Sequence, residues 1–216
     1  VAIGDIDGDG KSDMAVANYN SNTVSVFRNI STSGSITSSS FATKVDFATG
    51  SYPASVAIGD IDGDGKSDLV VANWNNTVSV FRNTSTSGSI TSSSFASKVD
   101  FATGSYPASV AIGDIDGDGK SDLVVANYGG TSVSVIRNTS TSGTVSFAAK
   151  VDFVTGSSPY SVAIGDIDGD GNSDIAVANA SSSTVSVFRN ISTSGSITTS
   201  SFATKVDFAT GSYPAS

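Results

Sequence analysis

The chain contains no cysteine and no histidine in 216 residues. Without thiols there are no disulfides and no thiolate metal sites, and the redox compartment is left undecided. Without imidazole, His-dependent catalysis is excluded and zinc becomes a poor fit. Glutamate is missing as well, so all 20 acidic residues are Asp. No apolar run approaches the ~20 residues of a membrane-spanning helix, and no membrane insertion is expected. The 11 Lys and Arg residues are scattered, which argues against a nucleic-acid partner. No leader is visible, and Val1 falls in the middle of a pattern that recurs later, so the chain reads as a mature or excised piece.

What is present is a repeat. Val-Ala-Ile-Gly-Asp divides the chain into units 1–55, 56–109, 110–161 and 162–216. A period in the fifties suits a small β-sheet unit better than a helical hairpin. Unit 2 shows the elements. Val56–Gly59 is a short apolar run (strand A), and Leu69–Asn73 follows an acidic loop (B). Thr77–Arg82 alternates with period two (C), as does Phe95–Phe101 (D). β-Branched and aromatic residues bounded by Gly, Asn, Ser and Pro are strand signals. No segment carries the i, i+3, i+4, i+7 pattern of a helix. The expected fold is all-β: a β-propeller of four-stranded antiparallel blades, four in this chain. Strands A, bearing Gly and Ala, are expected at the axis, with the 11 Phe between blades.

Sixteen of the Asp residues lie in four copies of one loop, Asp-x-Asp-x-Asp-Gly-x-x-Asp. The copies are Asp5, Asp7, Asp9 and Asp13; Asp60, Asp62, Asp64 and Asp68; Asp114, Asp116, Asp118 and Asp122; and Asp166, Asp168, Asp170 and Asp174. Alternate carboxylates on a tight turn converge, and their repulsion calls for a hard cation. Ca²⁺ takes six to eight oxygens at about 2.3–2.6 Å in irregular geometry, whereas Mg²⁺ demands a strict octahedron and keeps its waters. The expectation is one structural Ca²⁺ per unit, four per chain. The backbone carbonyls of Lys11, Lys66, Lys120 and Asn172 add ligands, and glycines such as Gly65 allow the turn. An EF-hand would need Glu at loop position 12, where Val16, Val71, Val125 and Val177 stand. Four Ca²⁺ would bring the formal charge of −9 close to neutral.

The acidic loop followed by Leu-Val-Val-Ala-Asn and Val-Ser-Val-Phe resembles the FG-GAP/VCBS repeats, which form the propeller of integrin α subunits and of many secreted bacterial proteins. The resemblance spans the chain four times. It implies Ca²⁺ binding between strands A and B by the residues just named, and a secreted or cell-surface scaffold for adhesion or protein interaction. Seven blades are common in that family, and this chain has four.

All 6 Tyr and the single Trp fall in B–C and D–A loops, the end opposite the acidic loops in an antiparallel meander. Tyr19, Trp74 and Tyr128 are therefore candidates for a ligand face taking a protein or a glycan, the latter making the chain a lectin-like module. The four D–A tyrosines are expected to act as turn anchors. No enzyme is expected, since nearly all Asp is committed to the loops. Asn29, Asn83, Asn138 and Asn190 each open an Asn-x-Ser triplet. The tail, Ser212–Ser216, repeats the lead-in that unit 1 lacks. Docking beside Val1 of the same chain would close a four-bladed ring; docking beside Val1 of another would close a homodimer. A segment of a longer array is the third arrangement.

Overall fold

The computed structural model describes residues 1–215; Ser216, the last residue of the fourth unit and of the tail, lies outside them. Four antiparallel four-stranded sheets follow one another in chain order. The first holds β1 (Ala2–Gly4), β2 (Asp13–Asn18), β3 (Thr23–Phe27) and β4 (Val45–Ala48). The second holds β5 (Pro53–Gly59), β6 (Asp68–Asn73), β7 (Thr77–Phe81) and β8 (Val99–Ala102). The third holds β9 (Pro107–Gly113), β10 (Asp122–Asn127), β11 (Ser132–Ile136) and β12 (Val151–Val154). The fourth holds β13 (Pro159–Gly165), β14 (Asp174–Asn179), β15 (Thr184–Phe188) and β16 (Val206–Ala209).

Three apolar clusters lie between successive sheets. Leu69 and Val71 of β6 face the first sheet with Val24, Val26 and Phe47. Val70 and Ala72, on the opposite face of the same strand, meet Leu123 and Val125 of the third. Val124 and Ala126 then meet Ile175 and Val177 of the fourth. Side chains alternate across a strand, so a strand covered on both sides reads as an unbroken apolar run. That is why β6 and β10 carry Leu-Val-Val-Ala and are buried throughout.

The inner strands come close enough to exclude side chains. A Cβ on Gly4 would meet Ile58 at 3.0 Å, one on Gly59 would meet Ile112 at 3.3 Å, and one on Gly113 would meet Ile164 at 3.1 Å. Strands A thus crowd together as expected. Strand D is shorter than expected. Phe95 leaves it to form an isolated bridge with Asn83, and Ala96 N donates to Arg82 O, which turns the chain before β8 begins. The Asp residues outside the acidic loops also find their role here. Asn73 Nδ2 donates to Ser79 Oγ at 2.9 Å, and Ser79 donates to Asp100 Oδ1 at 2.6 Å. Lys98 completes the chain on Asp100. The same polar line across three strands recurs through Asp46, Asp152 and Asp207.

Among the described residues the tail adds no strand beside β1, whose only sheet neighbour there is β2. At the two ends of the row, Ile3 is 72% exposed and Phe208 55%, against 9% for the equivalent Phe47 and Phe153. Leu123→Ala, deep between two sheets at 0% exposure, should cost about 2–5 kcal/mol in urea unfolding. Val154→Ala, at 70% exposure, should change stability by no more than about 0.5 kcal/mol.

Candidate metal centres

Each acidic loop joins the first and second strands of a sheet and turns on two glycines. Gly63 (φ 72°) and Gly65 (φ 85°) occupy the left-handed region, which costs a glycine nothing. The loop wraps its first carboxylate: Asp60 accepts from Gly63 N at 2.8 Å, Asp64 N at 3.2 Å and Gly65 N at 2.9 Å. The ninth position begins the second strand and is fully enclosed. Asp68 accepts from Ile61 N at 2.9 Å and from Asn83 N at 2.7 Å. These bonds aim the carboxylates inward and hold them there.

In every unit three carboxylates converge, with ligand oxygens within 4.8 Å of one another: Asp5, Asp7 and Asp13; Asp60, Asp62 and Asp68; Asp114, Asp116 and Asp122; Asp166, Asp168 and Asp174. Asp9, Asp64, Asp118 and Asp170 stand outside that set. Each accepts from the amide two residues on, Lys11, Lys66, Lys120 or Asn172, at 2.8–3.0 Å. The side chains of Lys66 and Lys120 turn away from the loop to the carbonyls of Ser85 and Ser140, both at 3.0 Å.

The clusters suit a cation. Asp116, 2% exposed, has no hydrogen-bond partner on either carboxylate oxygen, and Asp7 Oδ2 is likewise unpartnered. A buried carboxylate oxygen without a partner costs roughly 1–3 kcal/mol or more. Burial raises the pKa of Asp7, Asp13 and Asp116, and the neighbouring carboxylates raise Asp7 and Asp116 further. It pushes Asp68 and Asp122 up to about 6, against the lowering effect of the Asn and Ile amides. An all-oxygen, anionic, irregular donor set fits Ca²⁺ better than the softer transition metals.

The next unit closes over each of the first three loops. Asn83 Nδ2 donates to Ile6 O and to Ser67 O, both at 2.7 Å, so one amide spans two units. Asn138 and Asn190 repeat this on Ile61 and Ile115 at 2.8 and 2.7 Å. Five residues further on, a Thr-Ser-Gly turn touches the third loop position. Gly88 N donates to Asp7 O at 3.1 Å, Gly143 N to Asp62 Oδ2 at 2.9 Å and Gly195 N to Asp116 O at 3.1 Å. The linking role of these asparagines and glycines escaped the sequence reading, which noted the asparagines only as openers of Asn-x-Ser triplets. Their signal was the constant spacing between Asn and Thr-Ser-Gly in all four units.

At the opposite end the structure brings Tyr19, Trp74 and Tyr128 together. Tyr19 meets Trp74 edge-on at 5.1 Å, and Trp74 stacks on Tyr128 at 6.1 Å and 10°. Tyr52 and Tyr106, at φ 56° and 50°, flank the row against Tyr19 and Trp74. Their backbone amides donate to Asn22 Oδ1 and Asn76 Oδ1. Tyr160 packs on Tyr128 at 5.7 Å, and the Tyr213 hydroxyl lies 3.0 Å from that of Tyr128.

A family model described as FG-GAP-like repeat matches residues 5–71, 60–125 and 114–177. The chain therefore belongs to the FG-GAP-like repeat family. No curated protein matches the sequence. Among solved structures, BBS1N in complex with ARL6DN is similar in fold. A crystal soaked with lead gives a TM-score of 0.59 at 14% identity over 98% of this chain and 56% of that one. A crystal soaked with mercury gives 0.58 at 14% identity over 98% and 53%. This chain thus spans about half the length of the structures it matches.

Two outcomes are expected. Asn138→Ala leaves the carbonyls of Ile61 and Ser121 without their donor and should cost about 1–3 kcal/mol in urea unfolding. Asn29→Ala, whose Nδ2 gives up only the bond to Ser12 O within its own unit, should cost less. In chelator, the metal-free protein should melt higher at pH 5 than at pH 7.5. The folded pKa values near 6 lie above the unfolded value of 3.8, so stability is gained as pH falls through 6 toward 4. A melting temperature that falls over that range would contradict the burial of Asp68 and Asp122.

Proposed function

We propose that the chain is a calcium-stabilised propeller segment that acts outside the cell or at its surface as a scaffold for protein interaction, without chemistry of its own. The observation that carries this reading is Asp116, enclosed with both carboxylate oxygens unpartnered at the centre of a converging Asp trio. Asp114, Asp116 and Asp122 would hold Ca²⁺ there. The carbonyl of Lys120 and a further oxygen of Asp118 are the proposed additions, and the other three loops follow suit. An ion bound to the folded form alone stabilises it by mass action. Extracellular Ca²⁺ modules work at roughly 10⁻⁴–10⁻³ M Ca²⁺, and the same range is proposed for these loops. The protein-interaction role is supported by BBS1N, whose fold is similar and which was solved with a protein partner. Calorimetric titration of chelator-treated protein with CaCl₂ should find four sites, with a rise in melting temperature that Mg²⁺ does not match. Asp116→Asn should remove one site. No heat and no thermal shift at ~10 mM Ca²⁺ would sink the reading.

A second reading concerns the aromatic end. A cavity of about 260 Å³ is lined by Tyr19, Trp74 and Tyr160 with Ala17, Pro53, Ala54 and Ala108, drawn from all four sheets. Trp74 Nε1 is buried there without an acceptor. The lining carries no charge, which suits a neutral ring with hydroxyls, such as a sugar, stacked on aromatic faces. Trp74→Ala should abolish any glycan-array signal without lowering the Ca²⁺ stoichiometry. An unchanged signal would exclude this face.

A further inference from the structure

Each of the three internal sheet-to-sheet contacts is made by the same set of groups, and the two ends of the row carry the unused halves of that set. At the inner strands, a Gly of one unit receives an Ile of the next: Gly4 and Ile58, Gly59 and Ile112, Gly113 and Ile164. Gly165 has nothing within 4 Å of where its Cβ would be, and Ile3 is 72% exposed. At the acidic loops, Asn83, Asn138 and Asn190 are 0% exposed because each spans two units. Asn29 bonds only its own unit, while Ile167, at the position whose carbonyl an incoming Asn would take, is 57% exposed. At the outer strands, Phe47 meets Phe95, Phe101 meets Phe147 and Phe153 meets Phe202, each pair edge-on at 4.9 Å. Phe208 is 55% exposed, and Phe41 is the half-buried member that would receive it.

We propose that a second copy of this chain docks its first sheet against the fourth sheet of the first, head to tail, through the contact already used three times within the chain. Ile3 enters beside Gly165, Asn29 donates to Ile167 O, Gly34 reaches Asp168 and Phe41 meets Phe208. The fourth acidic loop, exposed at Asp166 and Asp168, gains the cover that the other three already have. The contact is heterologous, so one chain's head fits another's tail and not its own kind. Two copies that satisfy both ends make a closed dimer. This inference concerns assembly and stands whether or not the aromatic end takes a ligand.

The test is light scattering on the purified chain with Ca²⁺ at ~100 μM protein, a concentration that a contact of micromolar affinity saturates. The wild-type chain is expected at twice its 21.6 kDa formula mass. Ile3→Asp and Phe208→Asp, both at exposed positions and checked for native folding by near-UV circular dichroism, should each be monomeric. Their mixture should recover a dimer, because one retains a head and the other a tail. A monomeric wild-type chain, either single variant still dimeric, or a mixture that stays monomeric overturns the proposal.

Discussion

A sheet whose two faces are both apolar has to be covered twice, and the rest of the structure follows from that. Loss of one cover exposes Val, Leu and Phe side chains worth about 1.5–3 kcal/mol each on burial. The second and third sheets satisfy the requirement from both sides, and their central strands are buried along their whole length. The first and fourth satisfy it from one side only. Stability is therefore distributed over contacts between neighbours, as in other linear repeat architectures, and no single core serves the whole chain.

The acidic loops are part of those contacts. The Asp that starts the second strand is held by the amide of the Asn two residues past the end of the third, and the same Asn side chain grips the preceding unit's loop. An ion that ordered one loop would therefore also fix the place where the next sheet lands. Burial supplies the driving force between sheets but little register. The directional bonds of Asn and Gly supply register, at the same end of the molecule as the carboxylates.

Much of this was legible in the residues. The spacing of Asp and Gly marked the loops, and period-two alternation in Thr77–Phe81 marked a strand with distinct faces. The position of every Tyr and the Trp opposite the acidic end followed from meander connectivity alone. The shape of the Asp trio was less legible, because position 5 matches the others in the motif and differs only in the amide it accepts from. The linking asparagines were hidden for a different reason. Their partners are backbone carbonyls 75–77 residues away, which carry no side-chain signature. The Asp100 line was hidden because an alternating strand reads the same whether its polar face meets water or another strand.

Asn83, Asn138 and Asn190 stand in Asn-x-Ser triplets, the acceptor sequence for oligosaccharide transfer in secretory pathways that carry out this modification. In the folded chain each side-chain nitrogen is enclosed and donates to two carbonyls. A sugar attached there before folding would use up one of those N–H groups and would have no room between the sheets. Modification and docking of the units are mutually exclusive at these three positions. A host that glycosylates the emerging chain would produce a chain whose units cannot stack into a row.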